Sequence, residues 1–560
     1  MSLALSRLDG AERWEQDIAV VRALGLTQVG SGGVLSSGLS GVFSLLPVGN
    51  VLWRLSLFSA LAVSLASVVI YHFALRLLAG QAGRGTAPLA LAAALMATLG
   101  SAWQGAATLI GSPAFAALLV LLVIGWLPAP RELRGWLGHG FALGLLTLES
   151  LPCAAAAALT LAIVCLSELR LPTLLQAGAA LFTWGLTWAL GALPSFVASG
   201  ASAFVALGSS LNAADTYHFA VRALPIELGF YVAALATLGA VAAWLRPAGF
   251  RVALPLGSWI ALGWLQGDKG GITLVAVAAS AVLASLGLAA TLDFARRRTA
   301  SLARTLRRVA VIVHLGALLL IAEGGDQAGR GNEQSATRAW SEEAFERLPQ
   351  NSLLLLSSSD AAWRIWSSRL TAGLRPDVLV IPTSLLGEGA MARNLLSLEP
   401  RLAPLIRDEA THGLPSEYSL TELADARPLR VEADADWNRP LLRHLEPDGL
   451  WFRFASHTPG RVDRELGGRR LRRAVARVAK VADQTELRDT RTLQRLADDL
   501  ARQAAVAVAL GDTAMARGLT RRLKLIDPRH HDLLALRNWL KQVRPNPANL
   551  GQALRGPEQP

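Results

Sequence analysis

Charge is nearly absent from the first 322 of the chain's 560 residues, which hold 19 Arg and Lys and 11 Asp and Glu; the remaining 238 hold 35 and 31. A segment so poor in charge cannot clothe a water-soluble domain, and its apolar runs reach the length of a bilayer crossing. The sequence therefore reads as a polytopic membrane part followed by a soluble part of ordinary composition. That excludes a soluble enzyme, a disordered protein and a disulfide scaffold. The net charge of +12 divides into +8 and +4, and the first excess lies mostly in short loops, where membrane topology accounts for it. No nucleic-acid partner is expected; the lipid bilayer is. Cys153 and Cys165 sit in one apolar segment as small hydrophobes, so neither a metal site nor a cofactor is implied.

Apolar runs of about 20 residues mark the spans. They fall at 52–75, 86–102, 105–127, 173–194, 228–245, 252–266, 272–292 and 309–322. The stretch 136–167 is too long for one crossing and is interrupted at Glu149-Ser150-Leu151-Pro152, so it counts as two, which gives about ten. Arg76 and Arg84, Arg131 and Arg134, Arg170, Arg246 and Arg251, and the run from Arg296 to Arg308 fall on alternate connections, whereas the opposite ones hold Arg222 and Lys269. Basic loops stay in the cytoplasm. The N-terminal segment (1–50) and everything beyond the bundle (51–322) are thus expected on the periplasmic side of a bacterial inner membrane. The external stretch Phe196–Leu211 reads as a loop.

In the soluble part, Ser352–Ser357, a helix over 361–371 and Val378–Ile381 form a strand–helix–strand unit, with further strands at 429–432 and 450–454. A small periplasmic α/β domain is expected over 340–458. The turn Ser357–Asp360 lacks the glycines of a phosphate loop and reads as a helix cap. A basic stretch over 459–485 reads as a linker entering a helix over 470–485, and helices at about 490–509, 513–525 and 530–541 follow, where Ala516 and Pro528 match one tetratricopeptide-like unit. This helical tail (470–542) precedes a disordered end (543–560). A single unit leaves an apolar face, carried by Leu493, Leu496, Leu500, Ala504, Leu519, Leu523, Leu534 and Leu536, that must pack on a neighbour or on a periplasmic protein partner.

Two groups of motifs resemble a large bacterial membrane family of the glycosyltransferase-C type, whose eukaryotic relatives are protein O-mannosyltransferases. At the N-terminus they are Trp14-Glu15-Gln16-Asp17, Leu24-Gly25, a Gly/Ser-rich loop, Leu46-Pro47-Val48-Gly49 and Trp53-Arg54-Leu55-Ser56-Leu57-Phe58-Ser59-Ala60. In the soluble part they are Leu348-Pro349, Arg375-Pro376-Asp377-Val378, Arg427-Pro428 and Asp448-Gly449-Leu450-Trp451. The chain departs from the family at Gln28–Gly33, where the family has His-Pro-Pro-Gly-Tyr-Pro, and at Ile110–Pro113 and Leu146–Glu149. The family's first helix has no counterpart before the acidic motif.

The resemblance implies transfer of a sugar from a polyprenyl-phosphate donor to an acceptor at the outer face. Such a reaction needs a carboxylate to take the acceptor proton and cations to hold the departing phosphate. Asp17 stands where the family carries its catalytic acid, with Glu15 as its nearest substitute. Arg22, Arg54, His218 and Arg222 are the candidate phosphate partners, with Lys269 on the same side. Glu149, an acid at an intra-span turn, is equally suited to function and to structure. Two readings stand at this point: a diverged transferase, and an inactive relative serving as a membrane-anchored scaffold.

Overall fold

The computed structural model describes residues 13–25, 33–79, 86–111, 113–125, 132–167, 172–199, 216–245, 255–261, 271–330, 335–387, 389–432, 437–484 and 489–541. They fall into two compact units. One lies within Arg22–Asn332; the other combines Ala11–Val21 with Glu333–Pro560. The N-terminal segment expected as one external piece is therefore shared between them.

The first unit is helical. Among the described residues, Val51–Leu78, Gly271–Arg298 and Arg304–Gly324 are long and apolar enough to cross a membrane, and Thr86–Thr98 with Ser101–Thr108 qualify jointly across a 61° bend. The sequence placed one run at 86–102 and the next at 105–127. The chain instead breaks at Leu99-Gly100 and again before Pro113, and the following helix runs Ala114–Gly125. The 136–167 stretch divides where expected, into Leu133–Glu149 and Leu151–Ser167. Ser150 is extended there, and Pro152 can sit in the first turn of a new helix but not inside an old one. Most of Phe196–Leu211 lies outside the described residues.

Gly271–Arg298 forms the centre of this unit, its most apolar stretch wholly buried. Thr216–Trp244 crosses it at a point where backbone meets backbone. A Cβ on Gly287 would stand 2.1 Å from the Leu235 carbonyl oxygen, and one on Gly239 1.9 Å from that of Leu283. Close approach through small residues is how helices associate without a hydrophobic drive between them. Gly287→Val is expected to lower the melting temperature of the detergent-purified protein markedly, since overpacking typically costs about 1–3 kcal/mol. Gly316→Val, which meets nothing within 4 Å, should leave it nearly unchanged.

The second unit is built on a five-stranded sheet in the order β2-β1-β3-β5-β4, where β1 is Leu353–Leu356, β2 Leu379–Pro382, β3 Leu429–Val431, β4 Leu445–Asp448 and β5 Trp451–Phe454. β1 lies parallel to both β2 and β3, while β3–β5 and β4–β5 pair antiparallel. The four leucines of β1 are all buried, as the central strand of a parallel trio must be. Ser359–Ala372 makes the crossover, and its cap is Ser358, whose side chain accepts from the Ala361 amide. β4 is the strand that the sequence reading omits. Glu446-Pro447-Asp448 looks like turn chemistry, yet an edge strand tolerates proline, and the buried Asp448 meets Arg430 at 2.9 Å and Arg470 at 3.3 Å.

The basic stretch expected to enter a helix is helical from further back than 470, as one continuous helix over Arg461–Gln484. Gly467 lets it lie on β4, for a Cβ there would stand 2.0 Å from the Pro447 carbonyl oxygen. Helices Thr490–Ala509, Thr513–Ile526 and His531–Lys541 follow as expected. Their apolar rows are covered from within the chain: Leu493, Leu496, Leu500, Ala504, Leu519, Leu523 and Leu536 are buried, and Leu534 alone of that set is exposed. The open face that motivated a protein partner is thereby filled.

The last helix is tied down by His530, whose Nε2 lies 3.0 Å from Asp498 Oδ1. Burial lowers the imidazole, but the bond and charge of Asp498 outweigh it and hold His530 above its ordinary 6.5. A raised folded value gives stabilisation that is full below pH 6.5 and fades as pH rises through the folded value. Amide exchange over 531–541 should therefore speed up more in wild type than in His530→Gln as pH climbs from about 6 to about 9, after correction for intrinsic rates.

Candidate functional site

Asp17 begins the Asp17–Ala23 helix, and its surroundings belong to the second unit. Its Oδ1 lies 2.8 Å from Arg364 Nη1, and the two side chains are 2% and 1% exposed. Arg364 also donates to Ser368 Oγ, at 3.2 Å from Nε and 2.9 Å from Nη2. One turn earlier Trp14 donates to Thr492 Oγ1 at 3.0 Å and packs edge-on against Trp340. The acidic motif is thus inserted into the core of the second unit. Asp17 is directly paired with Arg364 inside this core, a placement that suits a structural role. Asp17→Asn should destabilise the second unit by about 3–5 kcal/mol, because it strands the Arg364 charge. Asp17→Asn with Arg364→Met should recover part of that loss in denaturant titrations followed by amide exchange over 359–372.

Ligands of parallel α/β sheets bind outside the C-terminal strand ends. Here that crevice is occupied. Glu432, just past β3, accepts from the Ser358 amide at 2.9 Å and pairs with Arg495 at 2.5 Å and with Arg502. Arg495 also donates to Ser358 Oγ at 2.9 Å. Burial pushes Glu432 up, but the two arginines override it and hold the carboxyl below its usual range. Arg495 and Arg502, both on Thr490–Ala509, fill the space beside the Ser357–Asp360 turn, so the turn is a cap locked by protein.

The first unit contains a different kind of polar cluster. The Gly/Ser-rich segment expected as a loop forms a helix, Val34–Phe43. It begins at Gly33, whose φ of 67° favours glycine and which supplies no side-chain cap. The first-turn N–H groups of a helix need partners, and Glu149 provides them from the end of Leu133–Glu149. Its Oε2 accepts from the Ser36 amide at 3.0 Å, while the Ser36 hydroxyl donates to the Gly33 carbonyl at 3.2 Å. The Glu149 carbonyl accepts from the Gly33 amide at 2.8 Å. A carboxylate at a helix N-terminus is favoured by the dipole and by charge-assisted bonds. Arg22 stands beside it, with Nη1 3.8 Å from where a Gly33 Cβ would lie and its charge acting on Glu149. Ser36, Ser37, Ser40 and Glu149 are all buried.

Of the residues expected to hold phosphate, the structure therefore brings Arg22 to this cluster. Arg54 is engaged nearby in the backbone, donating to the Ser44 and Leu46 carbonyls at 2.7 Å each, where it fixes the turn after Val34–Phe43. His218 and Arg222 belong to Thr216–Trp244 and Glu15 to Trp14–Gln16, but their side chains lie outside what is described, as does Lys269 altogether. The serines escaped the sequence reading because glycine-rich spacing masks their periodicity. Positions 36, 37 and 40 nonetheless share one helical face.

No family model and no curated protein matches this chain. Among solved structures it is similar to ArnT from Cupriavidus metallidurans in two states. The apo form gives a TM-score of 0.43 over 71% of this chain and 93% of the other, and the form bound to undecaprenyl phosphate gives 0.47 over 77% and 90%, each at 15% identity. Likeness at that level does not carry the neighbour's chemistry across.

Proposed function

We propose that the chain is a membrane glycosyltransferase that takes a sugar from a polyprenyl-phosphate donor at the periplasmic face of a bacterial inner membrane. The observation that carries this reading is the buried Glu149 carboxylate, held by a helix N-terminus beside Arg22. A buried acid in an apolar bundle is a candidate for function, and acid with arginine is the pair that the reaction needs. The order of the N-terminal motifs, which resembles the glycosyltransferase-C type, supports the same class. In this reading Glu149 takes the role of proton acceptor that the resemblance gave to Asp17. The acceptor oxygen bonds to the anomeric carbon, the bond from that carbon to the phosphate oxygen breaks, and the electron pair leaves on the phosphate. Glu149 takes the acceptor proton and Arg22 faces the growing phosphate charge.

Glu149→Gln keeps size and hydrogen bonding while removing the proton acceptor. Transfer of labelled sugar from polyprenyl-phosphate sugar by membranes carrying this variant should fall by about 10²–10⁴-fold. Transfer at the wild-type rate overturns the assignment. The same reading places the soluble unit outside the cytoplasm. Reporters active only in the periplasm should therefore signal when fused after Gly325 and stay silent when fused after Arg298; the reverse pattern excludes an outward-facing site.

A further inference from the structure

We infer that the last helical hairpin, Thr513–Ile526 with His531–Lys541, is a docking face for the anionic lipid headgroups of the bilayer that this chain spans. Charge points to it first. Residues 323–512 hold 26 Arg and Lys against 28 Asp and Glu, a nearly balanced set, whereas residues 513–541 hold seven against two. Thr513–Ile526 carries four of those cations, Arg517, Arg521, Arg522 and Lys524, and no acid. None of the four has an ion-pair partner among the described residues, while Arg430, Arg477 and Arg495 of the same unit each hold a carboxylate. The local excess is left open to an outside anion.

The hairpin also has the character of an interfacial element. At about 100° per residue, positions 514, 518, 521 and 525 share one face of Thr513–Ile526, with 517 and 524 on one flank and 522 on the other. The opposite side, Ala516, Leu519, Thr520 and Leu523, is buried in the unit. Leu525 is 74% exposed at the end of the outward face, and Leu534 is 67% exposed on the helix that follows. Leucines standing bare among cations make a surface that rests on charged headgroups and dips an apolar tip below them.

A bilayer suits this face better than an acidic protein does. Anionic headgroups over an apolar interior match both the cations and the exposed leucines, whereas an acidic surface matches the cations alone. The bilayer is also a permanent companion. Arg304–Gly324 is long and apolar enough to cross it, and ten residues separate its end from Ser335, where the first helix after it in the second unit begins. A short tether makes docking intramolecular, at high effective concentration, so modest attraction suffices. Each Lys or Arg near an anionic surface contributes about fivefold in binding, an effect that salt screens. No step of sugar transfer enters this inference, which stands or falls apart from the transferase reading.

The full chain in lipid nanodiscs tests this. A Cβ on Gly518 would meet nothing within 4 Å, and the native Cys153 and Cys165 are buried. Gly518→Cys therefore accepts a fluorophore on the outward face, and Ser397→Cys, at an exposed position, serves as the control. The discs are phosphatidylcholine with or without phosphatidylglycerol, each carrying a headgroup nitroxide quencher. The Gly518→Cys probe should be quenched in the anionic discs, released by about 1 M salt, and little quenched in the neutral ones. Adding Arg517→Gln, Arg521→Gln and Lys524→Gln should weaken docking about a hundredfold with the melting temperature unchanged, and Leu525→Ser alone should weaken it several-fold. Equal quenching in neutral and anionic discs, or wild-type quenching in the folded triple variant, overturns the docking face. Quenching at Ser397→Cys as strong as at Gly518→Cys overturns it too, because the unit then meets the bilayer by no particular side. A Gly518→Cys probe that stays bright in anionic discs but responds to added polyglutamate gives the face to an acidic protein and overturns the lipid assignment.

Discussion

Backbone amides in apolar surroundings must find acceptors, and at the start of Val34–Phe43 the acceptor comes from another helix 113 residues away. That one constraint shapes much of the first unit. It fixes the break at Glu149–Pro152, since the glutamate must end its helix to reach the serine amides. Arg22 stands beside the same turn, and the serine face of the helix is buried. Without Glu149 the Val34–Phe43 helix would begin on unsatisfied groups, and Leu133–Glu149 would end without its anchor.

The sequence made the gross division legible because charge is a blunt physical signal. Thirty charges across 322 residues cannot be a soluble surface. The strands β1, β2, β3 and β5 were legible because each is a short apolar run bounded by turn residues. β4 was not, since Glu446 and Asp448 are satisfied by arginines on other elements, a fact no local pattern records. The start of the Arg461–Gln484 helix was missed for a related reason: Gly467 and Gly468 read as a linker before residue 470, whereas Gly467 is there to let the helix touch β4.

The site was only half legible. Arg22 and Glu149 could be named as lone charges in a charge-poor segment, but their union depends on a helix hidden in a Gly/Ser run. Asp17 shows the opposite case. Its position matched a family motif, while its partner Arg364 is fixed by the fold of the second unit, which no N-terminal pattern could reveal.

The insertion of the N-terminal segment into the second unit sets a timetable for the nascent chain. Trp14 meets Thr492, 478 residues downstream. At elongation rates of about 5–20 residues per second, that contact waits roughly half a minute to a minute and a half after Trp14 is made. In the interval the whole apolar half is synthesised while Trp14, Asp17, Val20 and Val21 lack the core that will bury them. Residues made early are thus among the last to find their places, and any fragment that starts at Glu333 is missing a piece of its own interior.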